Sequence, residues 1–455
     1  MFPLPAGPVI EMVVPADDDS IYFAMIDRFA DGEPGRGGAV ALDDPQGWHG
    51  GDLAGLTAHV GEIAGMGFKT LWITPITESR DEKFHEWGAY HGYWVDRFDR
   101  IDERFGGFRE LKALSDELHE HGMRLMLDVV LNHTSFDSPI RDEHPEWFHD
   151  AGPVVDFDDP VQRRNGEVHG LPDLDQGVPE LREHLAGSIA GLVVDGGVDA
   201  LRLDAIRHME PSEVGLILSR IDEHVRGHVP TTAEIFTGDR AELLEEWREG
   251  GYDAAFNFPL HYAITETICD GGTLERLGSA LHQTALEAPG RWVNFLDNHD
   301  LPRVASRCDD AEVAMALTAL FAAPGTPMVT WGTEVGADGA EEPENRADMS
   351  FGEHPRRAAI ASLNGQRRES RALRSGELRL VEVSEDELFA VRWIEDDVAF
   401  LAVNRSDRTI YYEPEPDIVA ALNGAISWEG VQLPPRSATI LTGRAEAPVY
   451  FPEAA

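Results

Sequence analysis

The sequence predicts an α/β fold: a (β/α)8 TIM barrel with a short inserted domain after its third strand and a C-terminal antiparallel β-sandwich domain. Strand-like and helix-like segments alternate from residue 21 to about residue 370, the pattern of a closed parallel barrel. Four of the strand-like runs end on acids and histidines. Polar chemistry gathered at the C-terminal ends of parallel strands is how such a barrel builds a site. After about residue 373 the period changes to two, which marks an antiparallel β unit.

Taken in order, strand one is Ile21-Tyr-Phe-Ala-Met-Ile26, and strand two is Thr70-Leu-Trp-Ile-Thr74, closed by Pro75. The helix before strand three carries Phe108, Leu111, Leu114 and Leu118 at spacings of three and four, and Gly122 ends it. Strand three ends at Val130, strand four near Asp204 and strand five near Glu234. Strand six is Ala254-Ala-Phe-Asn-Phe258, strand seven ends before Asp297, and strand eight is Pro327-Met-Val-Thr-Trp331. These segments assign 1–132 and 173–373 to the barrel. The connection 133–172, rich in Asp, Pro, His and Gly, is too long for a plain loop and reads as the inserted domain. Residues 374–455 carry period-two runs at 378–383, 389–393, 398–404 and 438–441 and read as structural.

The chain has 455 residues, with 83 acidic against 38 basic ones and a formal net charge of -45. Such a surface repels nucleic acid and anionic membranes, so a neutral substrate is expected. Self-repulsion at this charge destabilises the compact state unless salt screens it, which predicts a halophilic source. A GC-rich genome explains the shortage of lysine (Lys69, Lys83 and Lys112 only) but not the excess of acid. No run of 18 apolar residues exists, so no spanning helix is expected. The start, Met1-Phe-Pro-Leu-Pro-Ala-Gly-Pro8, does not read as a secretory signal. The expected location is cytoplasmic, or secreted with the signal absent from this sequence, and the expected state is a monomer or homodimer. Cys269 and Cys308 fit no metal spacing and are expected as buried free thiols.

The chemistry concentrates in four segments. Gly197-Val-Asp-Ala-Leu-Arg-Leu-Asp204 crowds apolar groups and then sets Arg202 and Asp204 on one side of an extended chain. A charged pair there is costly to bury without a purpose, either catalysis or a structural ion pair. Asp128-Val-Val-Leu-Asn-His133 ends a second apolar run, Thr232-Ala-Glu-Ile235 places Glu234 at the end of a third, and Asp297-Asn-His-Asp300 ends a fourth. The guanidinium of Arg202 favours the charged form of Asp204, a nucleophile's requirement. Glu234 follows an apolar run and has no basic neighbour in sequence, which suits an acid/base.

With Leu171-Pro-Asp-Leu-Asp175, these segments resemble the signature regions of the α-amylase family of glycoside hydrolases, family 13, in the family's order. The resemblance implies a retaining hydrolase acting on α-1,4-glucosidic bonds of starch or maltooligosaccharides. Asp204 would be the nucleophile, Glu234 the acid/base and Asp300 the holder of ring hydroxyls. It assigns substrate contacts to Arg202, His299, His208 and Arg207, and to His91 and Tyr93 of Ala89-Tyr-His-Gly-Tyr-Trp94. Arg207 stands where the family commonly has Lys, which puts subsite preference in question. Asp128 is expected to support Arg202 and the barrel floor. The resemblance also implies Ca²⁺ as cofactor, held by Asn132, Asp173 and the backbone carbonyl of His208. Asp31 and Asp52 resemble a second calcium loop, although Arg36 and Gly37 replace its usual asparagines. Trp331-Gly-Thr-Glu334 and Pro343-Glu-Asn-Arg346 are expected to shape the cleft. The rival activity is a 4-α-glucanotransferase or cyclomaltodextrinase. A non-catalytic carbohydrate-binding relative would usually have lost a carboxylate, and all three are present.

Overall fold

The computed structural model describes residues 20–287, 291–422, 424–426, 432–449 and 451. The reading of Met1–Pro8 lies outside the described residues. Eight parallel strands close into a barrel: β1 Ile21–Ala24, β2 Thr70–Ile73, β3 Arg124–Val129, β4 Ala200–Leu203, β5 Thr231–Ala233, β6 Ala254–Phe256, β7 Trp292–Asn294 and β8 Thr326–Thr330. Each pairs with its neighbours in sequence, and β8 closes on β1 through Ile21–Met328, Tyr22–Val329 and Phe23–Thr330. The strands run shorter than their apolar stretches. Met25 leaves β1 and the chain tightens into a 3₁₀ turn at Ile26–Arg28. The residues beyond each strand end are thereby free to turn into the barrel mouth.

The preceding helices bury one face. In Phe108–Glu120, Leu111, Leu114 and Leu118 are fully buried, each stabilising the packed state by about 1.5–3 kcal/mol. Phe108, expected in that stripe, is 42% exposed because it lies in the first turn, at the barrel rim. Gly122 takes φ 64°, a left-handed conformation glycine adopts without a Cβ clash.

After the barrel come β9 Glu377–Val383, β10 Glu387–Ile394, β11 Asp397–Asn404 and β12 Ser437–Arg444, an antiparallel sheet in the order β9-β10-β11-β12. Alternate residues of β10 and β11 serve two cores. Leu388, Ala390, Ala399, Leu401 and Val403 face the main core. Phe389, Val391, Val398, Phe400 and Ala402 pack beneath Tyr412, Ile418 and Leu433. The second layer is therefore a two-stranded ribbon, Ile410–Tyr411 with Gln432–Leu433, and a short helix, Pro416–Leu422, rather than a full second sheet. Arg392 pins the sheet to the barrel by donating to the carbonyls of Ala323 at 3.2 Å and Gly376 at 2.9 Å.

Cys269 and Cys308 are not free thiols but a disulfide, with Cα atoms 4.7 Å apart. Each caps the C-terminal end of a helix, Phe258–Ile268 and Val304–Arg307. Closure of the barrel brings these ends together, which separation along the chain could not reveal. Crosslinking positions 39 residues apart removes unfolded-state entropy worth about 4 kcal/mol. Among the described residues, no helix is long and apolar enough to cross a membrane.

Candidate active site

The polar residues expected from sequence converge at the C-terminal mouth of the barrel. Arg202, fully buried on β4, is the hub. Its Nη1 donates to Asp128 Oδ1 at 2.9 Å and to Asp204 Oδ1 at 2.6 Å, and its Nη2 lies 2.6 Å from Glu234 Oε1. The registers Asp128–Arg202 and Arg202–Thr232 across β3, β4 and β5 make this possible. Asp128 also accepts from Tyr93 Oη at 2.7 Å and from Trp72 Nε1 at 3.2 Å, so it supports the hub as expected. Glu234 has no basic neighbour in sequence, but in space Arg202 touches it as well as Asp204, because neighbouring parallel strands stand side by side.

Burial dominates at Glu234. It pushes Glu234 up to about 8, and the nearby Asp204 and Asp300 charges add to that against the pull of Arg202. The second oxygen of Glu234 accepts from the backbone N–H of Ala205 at 3.0 Å. Ala205 has φ 52°, left-handed without being glycine, a conformation costing roughly 1–2 kcal/mol. That turn, directly after Asp204, aims the N–H at Glu234.

Asp300 completes the group from the loop after β7. His299 Nε2 stands 3.2 Å from Asp300 Oδ2, and Arg346 Nη2 donates to Oδ1 at 3.0 Å. Burial opposes ionisation of Asp300, but His299 and the guanidiniums of Arg346 and Arg202 overcome it and hold the carboxyl below its usual range. His299 stacks on Tyr93 with ring centres 5.1 Å apart and planes 6° apart. Burial drives His299 down to about 3 and holds His91 well below its ordinary value, so both are neutral near pH 7. His91 Nδ1 accepts from the backbone N–H of Tyr93 at 3.0 Å.

Arg207 and His208 lie beside this group on a 3₁₀ turn, Ile206–His208. Arg207 donates to the Phe236 carbonyl at 2.7 Å and pairs with Glu242. His208 Nδ1 is 3.2 Å from the Arg163 carbonyl, and burial brings the imidazole down to about 4.

Of the metal candidates, Asn132 and Asp173 fit a hard cation. They sit on adjacent extended segments joined by Leu174 N donating to the Asn132 carbonyl at 2.8 Å and by a bridge between His133 and Asp173. Asn132 Oδ1 and Asp173 Oδ1 are both buried with no hydrogen-bond partner, an uncompensated cost that an oxygen-seeking cation removes. Asp52, paired with Asp31 in the second candidate loop, is already committed. Asp52 caps helix Leu53–Gly65 and accepts from the N–H groups of Gly32, Glu33 and Gly55 at 2.7–3.0 Å, while Arg36 Nε approaches to 3.9 Å. Asp52 therefore already has backbone donors and a guanidinium as neighbours. Among the described residues, no three His, Cys, Asp or Glu side chains cluster as a metal site.

Glu334 is not part of the cleft. It is buried behind β1, where it accepts from Tyr22 Oη at 2.6 Å, because Tyr22 points outward while Phe23 points into the barrel against Trp72. Arg346, expected only to shape the cleft, holds Asp300. Arg28 escaped sequence reasoning altogether. It donates to the Arg346 carbonyl at 3.1 Å across 318 residues of chain, and no local pattern signals that contact.

A closed parallel barrel with three carboxylates at its mouth and a buried arginine between them has the groups that glycosyl transfer needs. A model of the alpha amylase catalytic domain matches residues 23–371. The chain belongs to the α-amylase family of glycoside hydrolases. It is 30% identical over 461 residues to a beta/alpha-amylase of Paenibacillus polymyxa, covering 95% of this chain and 37% of that protein. The chain thus spans well under half the length of that relative. It is 26% identical to a cyclomaltodextrin glucanotransferase of Klebsiella oxytoca, covering 86% of this chain and 70% of that one. An α-amylase of Geobacillus thermoleovorans, solved with acarbose, superposes with a TM-score of 0.85 at 27% identity, covering 95% of this chain and 99% of that one.

Proposed function

We propose that this chain is a retaining α-amylase that cleaves α-1,4-glucosidic bonds of starch or maltooligosaccharides through a covalent glycosyl-enzyme. One observation carries the reading: a single guanidinium bridges Asp204 and Glu234, yet Glu234 keeps its proton to about pH 8. Pairing of both carboxyls to one fork supports the short separation of about 5–5.5 Å that retention uses, whereas inversion needs room for an intervening water. Glu234 protonates the glycosidic oxygen as Asp204 attacks the anomeric carbon. The C1–O bond to the leaving sugar breaks and an ester to Asp204 forms. Glu234, now ionised, takes a proton from water, whose oxygen displaces Asp204. Asp300, braced by Arg346 and His299, accepts from ring hydroxyls and favours the oxocarbenium-like transition state. Tyr93 lies beneath the same sugar, and neutral His91 donates to it.

Calcium, held by Asn132 Oδ1, Asp173 Oδ1 and the His208 backbone carbonyl, would supply positive charge that ties segment 133–172 to the barrel. The disulfide supports an oxidising location, the secreted alternative over the cytoplasmic one.

Transfer to a second sugar is the other reading. Phe236 (39% exposed) and Phe157 (47% exposed) are exposed aromatics beside Arg207 and His208, and aromatic side chains suit sugar rings better than water. Proton NMR during digestion of maltotriose tests both. Hydrolysis with retention releases new reducing ends first as the α-anomer, and transfer also makes longer oligomers. A first-formed β-anomer would sink the retaining mechanism.

A further inference from the structure

Two arginines of segment 133–172, Arg163 and Arg164, pair with Glu210, Glu242 and Glu246 of the barrel beside Arg207, and none belongs to the carboxylate group already described. Arg164 pairs with Glu210 at 3.0 Å and Glu246 at 3.2 Å. Arg207 pairs with Glu242. Arg163, on helix Pro160–Asn165, differs from the other two. Its side chain is only 10% exposed. It reaches Glu246 at 3.4 Å and Glu242 at 3.5 Å, while its Nε donates to the Arg207 carbonyl and its Nη1 to the Phe157 carbonyl, both at 3.3 Å. Its own carbonyl stands 3.2 Å from His208 Nδ1.

We infer that Arg163 is a positioning residue for the acceptor that resolves the glycosyl-enzyme, a role that rests on the function proposed above. It touches neither sugar nor carboxylate of the reacting group. It fixes the backbone of Phe157 from one side and of Arg207 from the other. Arg207 in turn holds the Phe236 carbonyl, so one planar fork sets the spacing of the two exposed rings. The step it governs is the second displacement. A hydroxyl oxygen of water or sugar bonds to C1, the C1–O bond to Asp204 breaks, and the hydroxyl proton passes to Glu234. A sugar needs both rings in register to present its hydroxyl, whereas water needs neither. Burial of a paired guanidinium is tolerable only because its donors meet acceptors. A lysine keeps the charge but cannot donate in this fork geometry.

The experiment follows maltotriose in the full chain with Arg163→Met, Arg163→Lys and, as a control, Arg164→Gln, which loosens the same ionic cluster without touching Phe157 or Arg207. Losing the two carbonyl hydrogen bonds in Arg163→Met should lower the ratio of transfer to hydrolysis, and raise KM, by about fivefold or more. The kcat for hydrolysis should stay within about twofold, since Asp204 and Glu234 are untouched. Arg163→Lys should not restore the ratio, and it carries the comparison alone should Arg163→Met fail to fold. Arg164→Gln should behave as the unsubstituted chain. Arg163 variants with the ratio and KM of Arg164→Gln would overturn the inference while leaving the proposed function standing. No product from maltotriose with the unsubstituted chain would overturn both.

Discussion

At the scale of single residues, Arg202 Nη1 reaches Asp128 and Asp204 while Nη2 reaches Glu234, so no one acid owns its charge. Burial is what acts on Glu234: it opposes ionisation, outweighs the pull of Arg202 and keeps the carboxyl protonated to about 8. The sign is that of an acid that must hold its proton: activity is present below that value and lost as pH rises through it. The alkaline limb of kcat/KM on maltotriose should therefore fall near pH 8, and Glu234→Gln should abolish that limb along with at least about a hundredfold of the rate. A limb near pH 4.5 would mean that Glu234 ionises like a solvated carboxyl. The identities of Asp204, Glu234 and Asp300 were legible because each follows an apolar run. The partner of Asp300 was not, since Arg346 meets it from 46 residues away through a different loop.

Among elements, the eight strands were legible because each lies in a short, mostly apolar stretch between helix-like segments, and their order follows from the rule that successive parallel strands lie side by side. Their ends were not, because strands stop where the barrel mouth opens rather than where apolar residues stop. Pairings set by closure also escaped, as the Cys269–Cys308 disulfide does. So did the fate of Asp52. Read beside Asp31 it resembles a calcium ligand, but its position before Leu53 makes it a helix cap. Asn132 and Asp173 keep that resemblance, with two buried oxygens lacking donors. Chelation should lower the unfolding midpoint by about 5 °C or more, with recovery in Ca²⁺ and not in Mg²⁺, whose stricter octahedron suits these spread ligands less well. An unchanged midpoint under chelation would remove calcium from the account.

For the whole molecule, a formal charge of -45 acts on every element at once. Many acids are paired at the surface, as Glu183 is with Arg220 and Glu62 with Arg357, but exposed pairs contribute little and the excess stays unbalanced. Self-repulsion should fall as the screening length shortens from about 10 Å at 0.1 M salt to about 3 Å at 1 M. The unfolding midpoint should accordingly rise across that range of NaCl. A flat midpoint would detach the acidic composition from any salt adaptation. The central claim is that β4, β5 and the loop after β7 deliver three carboxylates to one anomeric carbon, with Asp204 forming the bond. Its most direct measurement is to trap the intermediate with a 2-deoxy-2-fluoro glucosyl fluoride and locate the label by peptide mass spectrometry. The expected result is one hexose-derived adduct on the peptide bearing Asp204. An adduct on Glu234 or Asp300, or inactivation with no adduct on Asp204, would contradict it.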